Sequence, residues 1–120
     1  MTTTHDATPL PSPAFRTTAP GVELCLLRQH VDHGMTFLVR MSAGARAPLH
    51  DQPGGEETYM IAGRLRIEHR VDAGGGVLPD AVVGSGEYFF AQPGETHDGI
   101  AEEAALFFVV APGGVAPVRR

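Results

Sequence analysis

A histidine, a glutamine and a glutamate stand close together in the middle of the sequence. His50 and Gln52 are two residues apart, so in an extended chain their side chains share one face. At about 7 Å along the strand their tips can converge on one ion. Residues 53–55 read Pro-Gly-Gly, which predicts a turn that delivers Glu56 to the next strand. The spacing therefore places three polar side chains near one point.

A further histidine, His97, ends the segment PGETH at residues 93–97, whose composition predicts a tight turn. Two imidazoles and one carboxylate are the ligand set of the non-haem Fe(II) facial triad. The same donors suit Zn²⁺, Mn²⁺ or Ni²⁺. Taken from the residues alone, isolated histidines are more often surface residues or satisfied core residues, so a metal site at His50, Glu56 and His97 is one of two interpretations.

Short strands are the elements that would position these residues. The runs VELCLLRQHV, MTFLVRM, TYMIAG, EYFFA and AALFFVVAP have strand length, whereas SAGARAP and QPGETHDG predict loops. Leu65, Ile67, His69 and Val71 alternate with charged residues, which predicts one buried and one wet face and puts His69 inward. No segment has a sustained helical period with caps. With 15 glycines and 10 prolines, the pattern indicates an all-β sandwich or small barrel.

Length and composition indicate one domain. Residues 1–20 are rich in Thr and Pro and predict a flexible N-terminal arm, which leaves residues 21–120 of the 120-residue chain for the folded domain. No apolar run approaches the roughly 20 residues that cross a bilayer, and the first residues do not resemble a secretory signal. We therefore expect a cytoplasmic protein without a membrane partner. The single cysteine, Cys25, lies in an apolar strand and reads as inert core.

The charge distribution argues against nucleic acid as a partner. The formal net charge is −5, and the nine basic residues, all arginines, are scattered rather than gathered in a stripe. The pair His30 and His33 flanks an aspartate in QHVDHG, which predicts a solvated turn.

Two spacings in the sequence resemble the two motifs of the cupin superfamily. The first runs Gly44, five residues, His50-x-Gln52, three residues, Glu56, six residues and Gly63, and the second runs Gly86, five residues, Gln92-Pro93-Gly94, two residues and His97. The resemblance covers about residues 36–111. Within the superfamily, the sequence resembles the cupin domains of ChrR-like anti-sigma factors and small cupin dioxygenases. It implies a single-domain cupin, a double-stranded β-helix or jelly-roll barrel, with its pocket inside the barrel.

The resemblance also implies which side chains face that pocket. The family spacing of six residues between the glutamate and Gly63 selects Glu56 rather than Glu57 as the inward glutamate. By alternation Thr58 and Met60 share its face and become possible pocket-lining residues, together with His69. The implied metal ligands are His50, Gln52, Glu56 and His97.

One departure from the family pattern bears on the metal. Gln52 stands where the family has a second histidine, and an amide oxygen is a neutral, weaker ligand for zinc-like ions than imidazole. Three interpretations stay open. Gln52 ligates the metal through its oxygen, or it supports the ligands from behind and leaves an open metal position, or the site has lost its metal and serves as a ligand pocket.

These observations favour a metal-dependent enzyme that acts on a small organic molecule, with Fe(II)-dependent dioxygenase chemistry as its most concrete form. The cofactor would be one divalent ion, Fe(II) before Zn, Mn or Ni. The alternatives are a non-catalytic binding or sensing module and a metal-dependent lyase or isomerase. Because a small barrel has edge strands that need cover, we also expect a homodimer.

Overall fold

A computed structural model describes residue 7 and residues 14–118 of the chain. These residues form nine strands: β1 (Arg16–Ala19), β2 (Val22–Gln29), β3 (Met35–Met41), β4 (Arg46–Asp51), β5 (Glu56–Val71), β6 (Ala81–Gly84), β7 (Tyr88–Ala91), β8 (Thr96–Ala111) and β9 (Ala116–Pro117). The expected all-β class is confirmed. Within the described residues, no helix has the length and apolar character needed to cross a membrane.

The two long strands β5 and β8 form the spine of one antiparallel sheet. Along one edge of β8 lie β3 and β4 in turn, and along the other edge lies β5. The far edge of β5 carries β6 and β7, while β1 and β2 extend the sheet beyond β3. The sheet curls so that one face encloses the core and the other faces outward.

Alternation along the strands separates these two faces. The inward face carries the buried apolar cluster, to which belong Val22, Phe37, Val39, Met41, Met60, Leu65, Ile67, Val83, Ala101, Ala105, Phe107, Val109 and Ala111. On the outward face, Arg64 and Arg66 of β5 pair with Glu103 and Glu102 of β8, each at 2.8 Å. Such exposed pairs contribute little stability, so burial of the inner face is what holds the sheet.

Both long strands extend through residues that the sequence predicts as strand ends or loops. TYMIAG and the alternating segment after it form one strand, β5, because Gly63 adopts φ 88° and the pairing with β8 shifts register between Met60 and Leu65. These bulges bend the strand instead of ending it. Likewise, the predicted loop QPGETHDG gives way to β8 at Thr96, and SAGARAP gives way to β4 at Arg46.

The sheet begins inside the segment predicted as an arm. Arg16 and Thr17 of β1 pair with Leu24 and Glu23 of β2, so four residues of that segment are ordered by a hairpin. The strand reads RTTA and has no apolar alternation, so its pairing partner rather than its own pattern determines it. Most of residues 1–13 lie outside the described residues, and the arm there stays a prediction.

The outward face near the bend of β5 at Gly63 exposes several large apolar side chains. Tyr59 and Ile61 of β5 and Tyr88 and Phe90 of β7 are each between 42% and 59% exposed. Exposed apolar groups of this kind are typical of protein contacts. The expected homodimer stays a prediction.

Gly63 offers a test of the bend in β5. A Cβ at this residue would overlap the carbonyl oxygen of Ala104 in β8, in addition to the cost of a side chain at positive φ. We expect Gly63→Ala to lower the free energy of unfolding by roughly 3 kcal/mol or more. Gly86, at φ 81° with no atom within 4 Å of its Cβ position, is the control, and Gly86→Ala should cost about 1–2 kcal/mol. Equal losses in urea unfolding would contradict the close approach of the two strands.

Candidate metal centre

The two motif histidines lie opposite each other on neighbouring strands. In the β4–β8 ladder His50 pairs with His97, and their ring centroids are 4.8 Å apart at an interplanar angle of 82°. After His50 the chain turns back, with the Gly55 amide donating to the Gln52 carbonyl at 3.0 Å. This turn places Glu56 at the first position of β5, beside both imidazoles.

Three side chains that can ligate a metal ion meet at this point. The Nε2 atom of His50 lies 3.6 Å from one carboxylate oxygen of Glu56, and Nε2 of His97 lies 3.4 Å from the other. The ligand atoms of these three residues all lie within 4.8 Å of one another. The structure thus brings together His50, Glu56 and His97 from three different strands.

Hydrogen bonds behind the imidazoles fix which ring nitrogen faces the centre. Nδ1 of His50 lies 2.8 Å from the backbone carbonyl of Pro48, and Nδ1 of His97 lies 2.9 Å from the Glu95 carboxylate. Both partners only accept hydrogen bonds, so each Nδ1 must carry the hydrogen. In the neutral rings the Nε2 lone pairs therefore point at Glu56. Three hydrogen-bond acceptors then converge with no hydrogen-bond donor between them.

This arrangement fits a divalent metal ion. Distances of 3.4 and 3.6 Å exceed those of ordinary hydrogen bonds between the facing groups. Two donors that each lie about 2.1 Å from a common metal ion are about 3.0–3.5 Å apart. Two nitrogens and one carboxylate oxygen suit Fe(II), Zn²⁺, Mn²⁺ and Ni²⁺, so the donor set fits the class of ion and leaves its identity open.

The electrostatics of the cluster follow from its burial. Burial alone would raise the pKa of the Glu56 carboxyl, but the facing imidazoles of His50 and His97 outweigh it and lower that pKa from 4.5 to about 2. Burial also lowers the pKa of His50, but the carboxylate of Glu56 more than offsets it, and the net shift is upward. Glu56 therefore stays ionised, and its carboxylate favours a positive charge beside it, which either a cation or a proton on His50 can supply.

A largely apolar cavity adjoins the three donors. Its volume is about 470 Å³, and much of its wall comes from the inner face of the sheet. Representative apolar lining residues are Leu24, Phe37, Val39, Ile67, Phe107 and Val109. The polar lining residues are Thr18, His50, Glu56, Thr58, His97 and Asp98. Among the described residues no arginine lines this cavity.

The predicted pocket-lining residues have different positions. Thr58 is buried and lines the cavity. Met60 shares its face but does not line the cavity, because its fully buried side chain packs into the apolar cluster of the core. The prediction for His69 is wrong. Its φ of 54° and the register shift between Glu68 and Val71 turn its side chain outward, where it is 65% exposed.

Gln52 lies behind the donor cluster rather than in the cavity wall. Its side chain is fully buried, and its amide nitrogen donates to the backbone carbonyl of His50 at 3.3 Å. Its backbone carbonyl accepts from both Gly55 and Gly94, at 3.0 and 2.9 Å, and so joins the turns of the two motifs. This geometry favours the interpretation in which Gln52 supports the ligands. Its Oε1 atom is buried without a hydrogen-bond partner among the described residues and keeps its capacity to accept.

Sequence reasoning missed two charged residues beside the site. Glu95 holds His97 through Nδ1, and Arg70 pairs with Glu95 at 2.9 Å. The position of Glu95, two residues before His97, was a usable signal, since residues two apart share a face once the chain is extended. Arg70 gave no such signal, because its place in the charged register of β5 predicted a wet side chain.

A second group of possible metal-binding residues shares only Asp98 with the cavity wall. It comprises Glu68, His69 and Asp98, with His69 Nδ1 at 2.8 Å from Asp98. Arg46 places one guanidinium nitrogen 2.8 Å from Glu68 and 3.0 Å from Asp98. A cationic side chain thus already pairs with both carboxylates, unlike the cluster at His50, Glu56 and His97.

Comparison with known proteins supports the expected fold. The family model described as "ChrR Cupin-like domain" matches residues 11–116. No curated protein sequence matches the chain. An acetylacetone dioxygenase from Acinetobacter johnsonii is similar in structure, with 15% identity, a TM-score of 0.75, and 99% of this chain and 81% of that chain covered.

Two further solved structures show the same fold. KdgF from Halomonas sp. has 20% identity and a TM-score of 0.64, with 88% of this chain and 86% of that chain covered. A variant of oxalate decarboxylase from Bacillus subtilis has 23% identity and a TM-score of 0.71, with 87% of this chain but only 30% of that chain covered. The expected cupin fold is confirmed.

Metal affinity should fall as the solution becomes more acidic. Burial lowers and Glu56 raises the pKa of His50, with a net upward shift, so its Nε2 takes up a proton before an ordinary histidine would. Below that pKa the affinity for Zn²⁺ should drop about tenfold per pH unit for each proton displaced. Chelator competition between about pH 8 and about pH 5 measures this. In Glu56→Gln the affinity should be lower throughout and its decline should begin at a lower pH. An affinity independent of pH would contradict ligation by His50.

Proposed function

The chain belongs to the ChrR cupin-like domain family, and from this premise we propose that it is a metal-dependent enzyme that uses dioxygen to oxidise or cleave a small, mainly apolar molecule at Fe(II). The observation that carries the proposal is the convergence of the His50, Glu56 and His97 acceptors beside an apolar cavity. A donor set alone would suit a structural metal, whereas a donor set that opens on a cavity suits a metal that meets a ligand.

The three protein donors leave room for chemistry. A ferrous ion held by them would supply coordination positions for dioxygen and for an oxygen atom of the substrate. Gln52 does not line the cavity, so in this proposal it does not fill one of those positions. Its hydrogen bond to the His50 carbonyl instead supports the strand end that carries this ligand.

The residues around the donors supply orientation and a dry environment. The Nδ1 hydrogen bonds of His50 and His97 hold both rings with Nε2 toward the centre. The Glu56 carboxylate offsets positive charge there, and its pKa of about 2 keeps it ionised at any neutral pH. The apolar wall excludes water from a bound substrate and so limits competing hydrolysis.

The cavity also indicates the substrate class. A volume of about 470 Å³ accommodates a small organic molecule. Its described wall is mostly apolar and has no arginine, so a dianion such as oxalate would find no cationic side chain to balance the charge that the metal centre leaves. A neutral molecule with one or two ligating oxygens fits better, and acetylacetone, the substrate for which the similar dioxygenase is named, has this character.

A non-catalytic binding or sensing module is the second candidate. The match to a ChrR-type cupin favours it, because the donors also suit Zn²⁺, which has no redox chemistry. Lyase or isomerase chemistry has less support, because the described residues of the cavity wall include no free base. Asp98 contributes to that wall, but its carboxylate is already engaged by Arg46 at 3.0 Å and His69 at 2.8 Å.

Metal analysis and oxygen uptake test the proposal. The purified protein should bind close to one Fe(II) per chain after anaerobic reconstitution, since one donor cluster serves one ion. His97→Ala and Glu56→Gln should reduce occupancy by at least about tenfold. Glu57→Gln is the matched control, because the Glu57 side chain points outward and accepts from Tyr88 at 2.7 Å.

The iron-loaded protein should then consume dioxygen with neutral dicarbonyl or catechol-type compounds and not with oxalate. Full iron occupancy in His97→Ala would contradict the ligand assignment. Tight metal binding without oxygen uptake for any compound of this class would contradict the dioxygenase proposal and favour the binding or sensing module.

A further inference from the structure

A buried ion pair stands directly behind one of the two imidazoles. His97 donates from Nδ1 to a Glu95 carboxylate oxygen at 2.9 Å. The Arg70 guanidinium donates to both oxygens of Glu95, from Nε at 2.9 Å and from Nη2 at 3.1 Å. The Glu95 side chain is 1% exposed and that of Arg70 is 14% exposed. The pair is therefore largely removed from water and bidentate, the geometry in which such contacts are most directional.

The guanidinium is itself held from other sides. Its Nη1 atom donates to the backbone carbonyl of Pro79 at 2.9 Å, and its carbon lies 4.9 Å from the ring centroid of Phe89. The Phe89 ring in turn meets His97 edge-on at 6.2 Å between centroids. Arg70, Glu95, Phe89 and His97 thus form one packed unit with little freedom for the imidazole to rotate.

The other imidazole has a weaker support. Nδ1 of His50 donates at 2.8 Å to the backbone carbonyl of Pro48, which is a neutral acceptor. A hydrogen bond to a carboxylate is roughly twice as strong as one between neutral groups. A carboxylate on Nδ1 also increases electron density on the ring and makes Nε2 the better donor to a metal. The site is therefore asymmetric in a way that its ligand set alone does not show.

We propose that Arg70 and Glu95 are positioning residues that hold His97 in the tautomer with hydrogen on Nδ1 and make it the stronger of the two imidazole donors. Arg70 balances the charge of Glu95, so that the carboxylate stays an acceptor in a buried place. This inference deepens the proposed function and rests on the same metal centre, but it concerns affinity and ring orientation rather than turnover.

A double variant removes the charges without leaving one of them unpaired. In Arg70→Met/Glu95→Gln the buried pair is replaced by neutral side chains of similar size, which folded proteins often tolerate. The matched control is Arg64→Met/Glu103→Gln, which removes an ion pair at 2.8 Å between β5 and β8 on the outward face. The single variant Glu95→Gln keeps the volume and one acceptor oxygen, and it serves if the double variant does not fold.

Two readouts are taken from folded protein. The affinity for Co²⁺, measured by chelator competition, should fall about 10- to 100-fold in the double variant and stay within about threefold in the control. In the metal-free protein, ¹⁵N shifts of the His97 ring should report hydrogen on Nδ1 in the wild type and a mixture of both tautomers in the variant. The absorption spectrum of bound Co²⁺ should change in the variant, because ring orientation and donor strength alter the ligand field.

The outcomes separate this inference from the proposed function. A folded variant with unchanged Co²⁺ affinity, spectrum and His97 tautomer would reduce the ion pair to a structural role and overturn the inference. If wild-type protein fails to bind Co²⁺, the metal centre itself fails, while the tautomer measurement still decides whether the pair orients His97. Absence of oxygen uptake alone would overturn the enzyme proposal and leave this inference intact.

Discussion

The imidazoles of His50 and His97 each donate a hydrogen bond from Nδ1, to the Pro48 carbonyl and the Glu95 carboxylate respectively. Their Nε2 lone pairs face the carboxylate of Glu56. Three acceptors gathered in a buried place repel one another unless a positive charge lies between them. The fold therefore has to impose this convergence, and a cation or a proton has to complete it. The low pKa of Glu56, about 2, and the upward shift of the His50 pKa are two expressions of that one constraint.

The sheet meets the constraint through register and through its turns. The pairing of β4 with β8 sets His50 opposite His97, and a shift in their register would move one imidazole to the other face of its strand. The carbonyl of Gln52 accepts from Gly55 and Gly94, which ties the turn before Glu56 to the turn before His97. The residue that departs from the family pattern thus holds together the two segments that carry the ligands.

The alternation of residues along the sequence was sufficient to predict which side chains face inward, because burial follows a period of two wherever a strand is regular. Glu56 and Thr58 were predicted on that face, and both are buried beside the cavity. His69 was wrongly predicted to face inward, because a bulge rotates the chain between Glu68 and Val71. The alternation of apolar and charged residues in the sequence does not reveal such a bulge. Met60 shows a second limit, since facing inward does not separate the packed core from the cavity wall.

The charged partners of the candidate ligands were harder to predict than the grouping of the candidate ligands themselves. The sequence treats Arg70 as a wet residue and Glu95 as part of a loop, because charges are usually solvated. Only the fold brings them together, 25 residues apart in the chain, and buries the pair behind His97. The sequence could therefore predict which candidate ligands come together, but not the charged groups that lie behind one of them.

The claim that the three acceptors converge on a cation is tested most directly by an anomalous difference map from crystals of the Co²⁺-loaded protein. We expect one strong peak, about 2.0–2.2 Å from Nε2 of His50, Nε2 of His97 and a carboxylate oxygen of Glu56. A peak bound through Nδ1 of either ring, a peak at the Glu68, His69 and Asp98 group instead, or no peak at all would contradict it.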